Sequence, residues 1–134
     1  MAKPYYEFFC PVKVIAGNAA LEHIPFELAT LGAKRPMIIT DKGVRANGLL
    51  GPIEAAFSTT DAVIGAIFDD VPPDSSLEVV RQAAELYRKQ NCDAIIAIGG
   101  GSVIDTSKAT NILVSEGGND LLQYSGAHNL PKPL

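Results

Sequence analysis

The chain has 134 residues, 47% of them hydrophobic and 19% charged, with a formal net charge of -4. That balance belongs to one folded domain, here residues 1–134, long enough to bury a core and too apolar to remain disordered. The negative charge argues against nucleic acid or an anionic membrane as the main partner, and no stretch approaches the roughly 18–20 apolar residues of a bilayer span.

The leading residues Met1-Ala2-Lys3-Pro4-Tyr5-Tyr6-Glu7 lack the apolar core of a signal peptide. Cys10 and Cys92 lie far apart and match no metal spacing. Reduced thiols and a cytoplasmic location are therefore expected. The cluster Tyr5-Tyr6-Glu7-Phe8-Phe9 reads as core or interface packing.

Residues 11–16 alternate and end at Gly17, which predicts a first strand. Asn18 then stands as N-cap of a helix over 19–31 that stops at Gly32, with Pro25 shortening or kinking it. Two nearly continuous apolar runs follow, at 36–40 and 62–68, and both predict buried strands. Asp69-Asp70 before Pro72-Pro73 reads as a solvated loop. Ser75 and Glu78 have the form of a capping box, and Leu77, Val80, Ala84 and Tyr87 recur at helical spacing behind it. The run 94–98 is the clearest strand, and a helix over 102–115 is stopped by Gly117-Gly118. The tail from Gly126 reads as a loop leading onward, so an incomplete domain is expected. Strands alternating with helices predict an α/β fold, a Rossmann-like layered parallel sheet flanked by helices.

The strongest chemical signal is Ile98-Gly99-Gly100-Gly101-Ser102. Glycines without Cβ atoms let a backbone approach a phosphate closely, and the helix that follows offers N–H groups and the positive end of its dipole. Ser102 adds a hydroxyl. The Walker pattern is absent, because no Gly-Lys-Ser or Gly-Lys-Thr occurs, and G-x-G-x-x-G fails at Ile104. The plain alternative is a tight strand-to-helix turn. A second signal is Asp41 after the strand at 36–40. A carboxylate there can hydrogen-bond an adenosine ribose and repel a 2′-phosphate, favouring NAD over NADP. It can equally cap the next helix.

Taken together, Thr40-Asp41, Asn91-Cys92-Asp93, Gly99-Gly100-Gly101-Ser102 with Asp105 and Lys108, and Gly117-Gly118-Asn119-Asp120-Leu121-Leu122 through Tyr124-Ser125-Gly126 resemble the iron-containing alcohol dehydrogenases. The resemblance implies the N-terminal domain of the dehydroquinate synthase-like fold, with NAD as cofactor. It aligns Gly99, Gly100, Gly101 and Ser102 with the pyrophosphate loop and Asp41 with the adenosine-ribose acid. Asp105 matches the acid near the nicotinamide end. Lys108 matches the lysine after it, read as structural and pairing with Asp105. Asp74 departs from the family's usual Asn.

Family members continue into a Pro-Thr-Thr-Ala-Gly-Thr-Gly-Ser segment and a second, helical metal-binding domain that supplies an Asp and several His. By that resemblance the whole protein moves hydride between a small alcohol or aldehyde and the nicotinamide, with iron or another divalent metal. Separately, uncovered apolar surface favours self-association, and a homo-oligomer is expected. This chain carries only His23 and His128, too few for a metal site, so alone it is expected to be inactive. The alternatives are a stand-alone nucleotide- or phosphate-binding module, or part of a related glycerol dehydrogenase or dehydroquinate synthase. Ser102 is more like the alcohol dehydrogenase branch.

Overall fold

A computed structural model describes residues 8–126 and 130. Three strands, β1 (Pro36–Thr40), β2 (Ala66–Phe68) and β3 (Ala94–Ile98), form one parallel sheet in the order β2-β1-β3. Met37 lies opposite Ala66 on one side and Ile95 on the other, and Thr40 lies opposite Ile98. Five helices accompany them: α1 (Ile24–Thr30), α2 (Lys42–Ala46), α3 (Gly51–Phe57), α4 (Leu77–Lys89) and α5 (Gly101–Glu116).

The central position of β1 explains why its sequence is apolar as far as Thr40. All five residues of β1 are buried, because helices cover both faces. Successive side chains point to opposite sides. Met37 and Ile39 therefore join Phe68, Val71, Ala83, Cys92 and Val103 under α4 and α5. Ile38 joins Leu28, Leu50, Ile53 and Phe57 under α1 and α3. The α4 stripe Val80, Ala83, Ala84 and Tyr87 follows the i, i+3, i+4, i+7 rule. Val80 and Ala84 close a third cluster with Leu113 of α5.

Polar groups set the ends of the sheet. The Asp93 carboxylate accepts from the Lys34 and Arg35 amides at 2.8 and 2.7 Å, which aligns the start of β3 with that of β1. At the other end the buried Thr40 hydroxyl donates to the Ile98 carbonyl at 2.7 Å. Both strands therefore finish at one level, where the glycine loop begins.

Several expected elements change. Residues 11–16 form no strand, and Val12 and Val14 are 67% and 81% exposed. Alternation makes a strand only where a ladder partner lies alongside, and none does among the described residues. The run 62–68 follows β1 from Val63, whose amide bonds Lys34 O at 2.8 Å, but only 66–68 complete the ladder. The helix expected over 19–31 divides into a 3₁₀ turn, Ala20–His23, and α1. Pro25 sits in the first turn of α1, where its missing N–H costs nothing, and it cannot donate backward to extend one continuous helix. Asn18 caps neither piece. Ser76, not Ser75, caps α4, accepting from Val79 N at 3.4 Å.

Candidate functional site

A cleft of about 650 Å³ lies across the carboxyl ends of the three strands. Asp41, Lys42 and Gly43 enter it after β1, residues 69–73 after β2, and Gly100, Gly101, Ser102 and Val103 from the junction of β3 with α5. Open parallel sheets bind ligands at this edge, because every strand there is followed by a loop rather than a further strand.

The three glycines play different parts. A Cβ on Gly99, whose φ is 156°, would stand 2.7 Å from Val103 Cγ2 and 3.3 Å from Asp41 Oδ2. A Cβ on Gly100 or Gly101 would meet nothing within 4 Å. Gly99 is thus needed by the fold, and the other two border open cleft. Gly100 is the N-cap of α5 and brings no side chain to its amides. The first bond into the helix runs from Ile104 N to Gly100 O at 3.1 Å, so the amides of Gly101, Ser102 and Val103 precede it. Sixteen aligned peptides stand behind those amides, which favours an anion in front of them.

Ser102 is oriented from the loop after β2. Its Oγ accepts from the Asp74 amide at 3.3 Å, which leaves the hydroxyl proton to donate elsewhere. The Thr106 hydroxyl lies 2.6 Å from Ser75 Oγ and 2.7 Å from Ser102 O, binding the same loop to α5. Asp74 takes a left-handed φ of 56°. Asn and Asp tolerate that region better than other non-glycine residues, which accounts for either residue at this position.

Asp41 caps α2 and also lines the cleft. Oδ1 caps α2, accepting from Val44 N at 2.8 Å, and Oδ2 faces the Gly99 backbone beside the cleft. Asp105 and Lys108 stand apart. Both are exposed on α5 outside the cleft lining, and they pair with each other at 3.9 Å. The structure therefore gathers Asp41, Gly100, Gly101 and Ser102 around one space, with Gly99 beneath them, and leaves Asp105 and Lys108 outside it.

Sequence reasoning missed the third side of the cleft. Asp69 and Asp70 do not simply face solvent. Asp69 Oδ2 accepts from Arg45 Nη1 at 2.6 Å, and Asp70 Oδ1 lies 2.6 Å from Lys42 Nζ. The hydrogen bond and charge of Asp70 raise the Lys42 ammonium above its ordinary pKa. The signal available was their position, directly after a strand in a parallel sheet.

Among the described residues, no group of three or more His, Cys, Asp or Glu side chains could hold a metal ion. His23 is exposed at the start of α1, and His128 lies outside the described residues. A catalytic iron does not fit the donor set of these residues. No helix among them is long and apolar enough to cross a membrane.

Comparison with known proteins agrees with this architecture. The NAD-dependent methanol dehydrogenase of Bacillus methanolicus is 33% identical over 128 residues, 95% of this chain and 33% of that protein. The choline dehydrogenase of Bacillus subtilis (strain 168) is 31% identical over 130 residues, 97% of this chain and 32% of that protein. A crystal structure of 1,3-propanediol oxidoreductase superposes with a TM-score of 0.80 at 33% identity, over 88% of this chain and 30% of that one. The chain thus spans about a third of the length of the relatives it matches. The profile of the family described as iron-containing alcohol dehydrogenase matches residues 11–134, so the chain belongs to that family.

Proposed function

We propose that the cleft binds NAD, with the pyrophosphate on Gly100, Gly101 and Ser102 and the adenosine ribose against Asp41. The observation that carries this reading is the open space in front of Gly100 and Gly101 at the start of a 16-residue helix. No Cβ intrudes there, and the amides of the first turn supply donors without any charged side chain. Asp41 Oδ2 offers an acceptor for ribose hydroxyls, and its charge disfavours a 2′-phosphate. Ser102 contributes the hydroxyl that Asp74 orients. By their position outside the lining, Asp105 and Lys108 support a role at the nicotinamide end or in the helix surface rather than at the pyrophosphate.

In the whole protein, residues 1–134 act as the cofactor domain of an alcohol dehydrogenase working on a small alcohol or aldehyde. The family name and the NAD-dependent methanol dehydrogenase relative support that assignment. The nicotinamide, when bound, supplies the hydride acceptor or donor. The 134-residue chain alone positions cofactor without turnover. The exposed Phe8, Phe9, Val12 and Val14 side chains favour self-association.

Titrating the chain with NAD while following the amide resonances of Gly100, Gly101 and Ser102 by NMR tests the site. Saturable shifts at these amides, lost in Gly100→Val, are expected. NAD binding undiminished by Gly100→Val would remove the loop from the site.

A further inference from the structure

We infer that Asp69 and Asp70, through their ion pairs with Arg45 and Lys42, are specificity-determining residues that keep two cations from receiving a 2′-phosphate on the adenosine ribose. The inference rests on the NAD reading above and extends it to residues outside the glycine loop. Two cations lie on α2: Lys42 lines the cleft next to the residue proposed to meet the ribose, and Arg45 follows one turn on. Left to themselves they would favour a phosphate dianion at that place, whatever Asp41 does. Asp41 supplies one carboxylate there, and one of its two oxygens also accepts from Val44 N.

The loop after β2 supplies the counter-charge. Each cation has its own carboxylate at 2.6 Å, and the cleft lining itself carries Asp41, Asp69 and Asp70 against Lys42, with Arg45 outside it. The side chains of the Lys42–Asp70 pair are 78% and 60% exposed. Pairs so exposed add little to stability, so their consequence is the field they leave at the cleft. The loop is held in place independently, by Val71 N on Thr40 O and by Asp74 N on Ser102 Oγ. The backbone that carries the two carboxylates is therefore held by bonds other than the ion pairs they form.

The test compares NAD, adenosine 5′-monophosphate and adenosine 2′,5′-bisphosphate as ligands of the purified chain at low ionic strength, by NMR titration. The wild type should bind NAD and the monophosphate, and favour the monophosphate over the bisphosphate. The double variant Asp69→Asn, Asp70→Asn should shift that ratio toward the bisphosphate by at least about tenfold, roughly 1.4 kcal/mol. Adding Lys42→Gln and Arg45→Gln should reverse the shift, and 0.5 M salt should suppress it. Asp70→Asn alone, at an exposed position, should give a smaller shift and serves if the double variant folds poorly. A wild type that binds neither NAD nor the monophosphate would overturn the cofactor reading and this inference with it. A wild type that binds them, with a ratio unmoved in every variant, would overturn the inference alone.

Discussion

Val103 stands against Gly99: a Cβ on the glycine would lie 2.7 Å from Val103 Cγ2. Val103 is buried and β-branched, so it cannot swing aside. Gly99→Ala should therefore destabilise the fold by about 1–3 kcal/mol through overpacking. Gly100→Val should leave the denaturation midpoint nearly unchanged while removing NAD binding, since its side chain enters open cleft. Urea denaturation and NAD titration of both variants check the contrast. Equal loss of stability in the two would mean the loop is packed throughout.

Asp41 performs a capping role and a proposed recognition role, and substitution separates them. Asn is also a good N-cap, so Asp41→Asn should retain stability while losing the charge that opposes a 2′-phosphate. Asp41→Ala should lose the Val44 N bond as well and cost about 0.5–2 kcal/mol. Melting temperatures alongside the affinity ratio of the two adenosine phosphates resolve the roles. If the ratio moves in neither variant, Asp41 is a cap only.

Arg88 holds the far end of α5. Its guanidinium donates to Leu113 O, Gly118 O and Asn119 Oδ1 at 2.8, 2.6 and 2.6 Å. Leu113 O already accepts from Gly117 N at 3.0 Å, so the guanidinium adds a second donor there and ties the turn after α5 to α4. Arg88→Ala should destabilise by about 1.5–3 kcal/mol, as charge-assisted hydrogen bonds between α4 and the end of α5 are lost. Arg88→Lys should recover only part of this, because an ammonium cannot span three acceptors in a fixed fork. Calorimetric melting of both variants gives the comparison, and full recovery by lysine would reject the fork.

Cys92 is buried and Cys10 exposed. Burial pushes the Cys92 thiol above its ordinary pKa and outweighs the nearby Arg35, which acts the other way. A folded pKa above the unfolded one means that the contribution to stability is whole below the ordinary thiol range. It is lost as pH rises through the raised value. A disulfide reagent at pH 7 should modify one thiol quickly in native protein and two after denaturation. Cys92→Ala should flatten the alkaline decline in stability. Two fast native thiols would show that the core around Cys92 opens.

The amino-acid sequence by itself determined the parallel α/β frame. The apolar runs at 36–40 and 94–98 are strands that pair side by side, and α2 and α4 between them carry side-chain caps from Asp41 and Ser76. It also determined the glycine loop, because three successive glycines at a strand end are local chemistry. Tertiary structure decided what depends on neighbours distant in sequence. Residues 11–16 have strand alternation and no ladder partner. Pro25 divides a helix that apolar spacing alone leaves continuous. Which glycine serves packing and which faces the cleft depends on where Val103 lies after the chain has turned. Asp69 and Asp70 read as loop solvation until α2 places Arg45 and Lys42 against them, since charge pairing between separate elements leaves no periodic mark in a sequence.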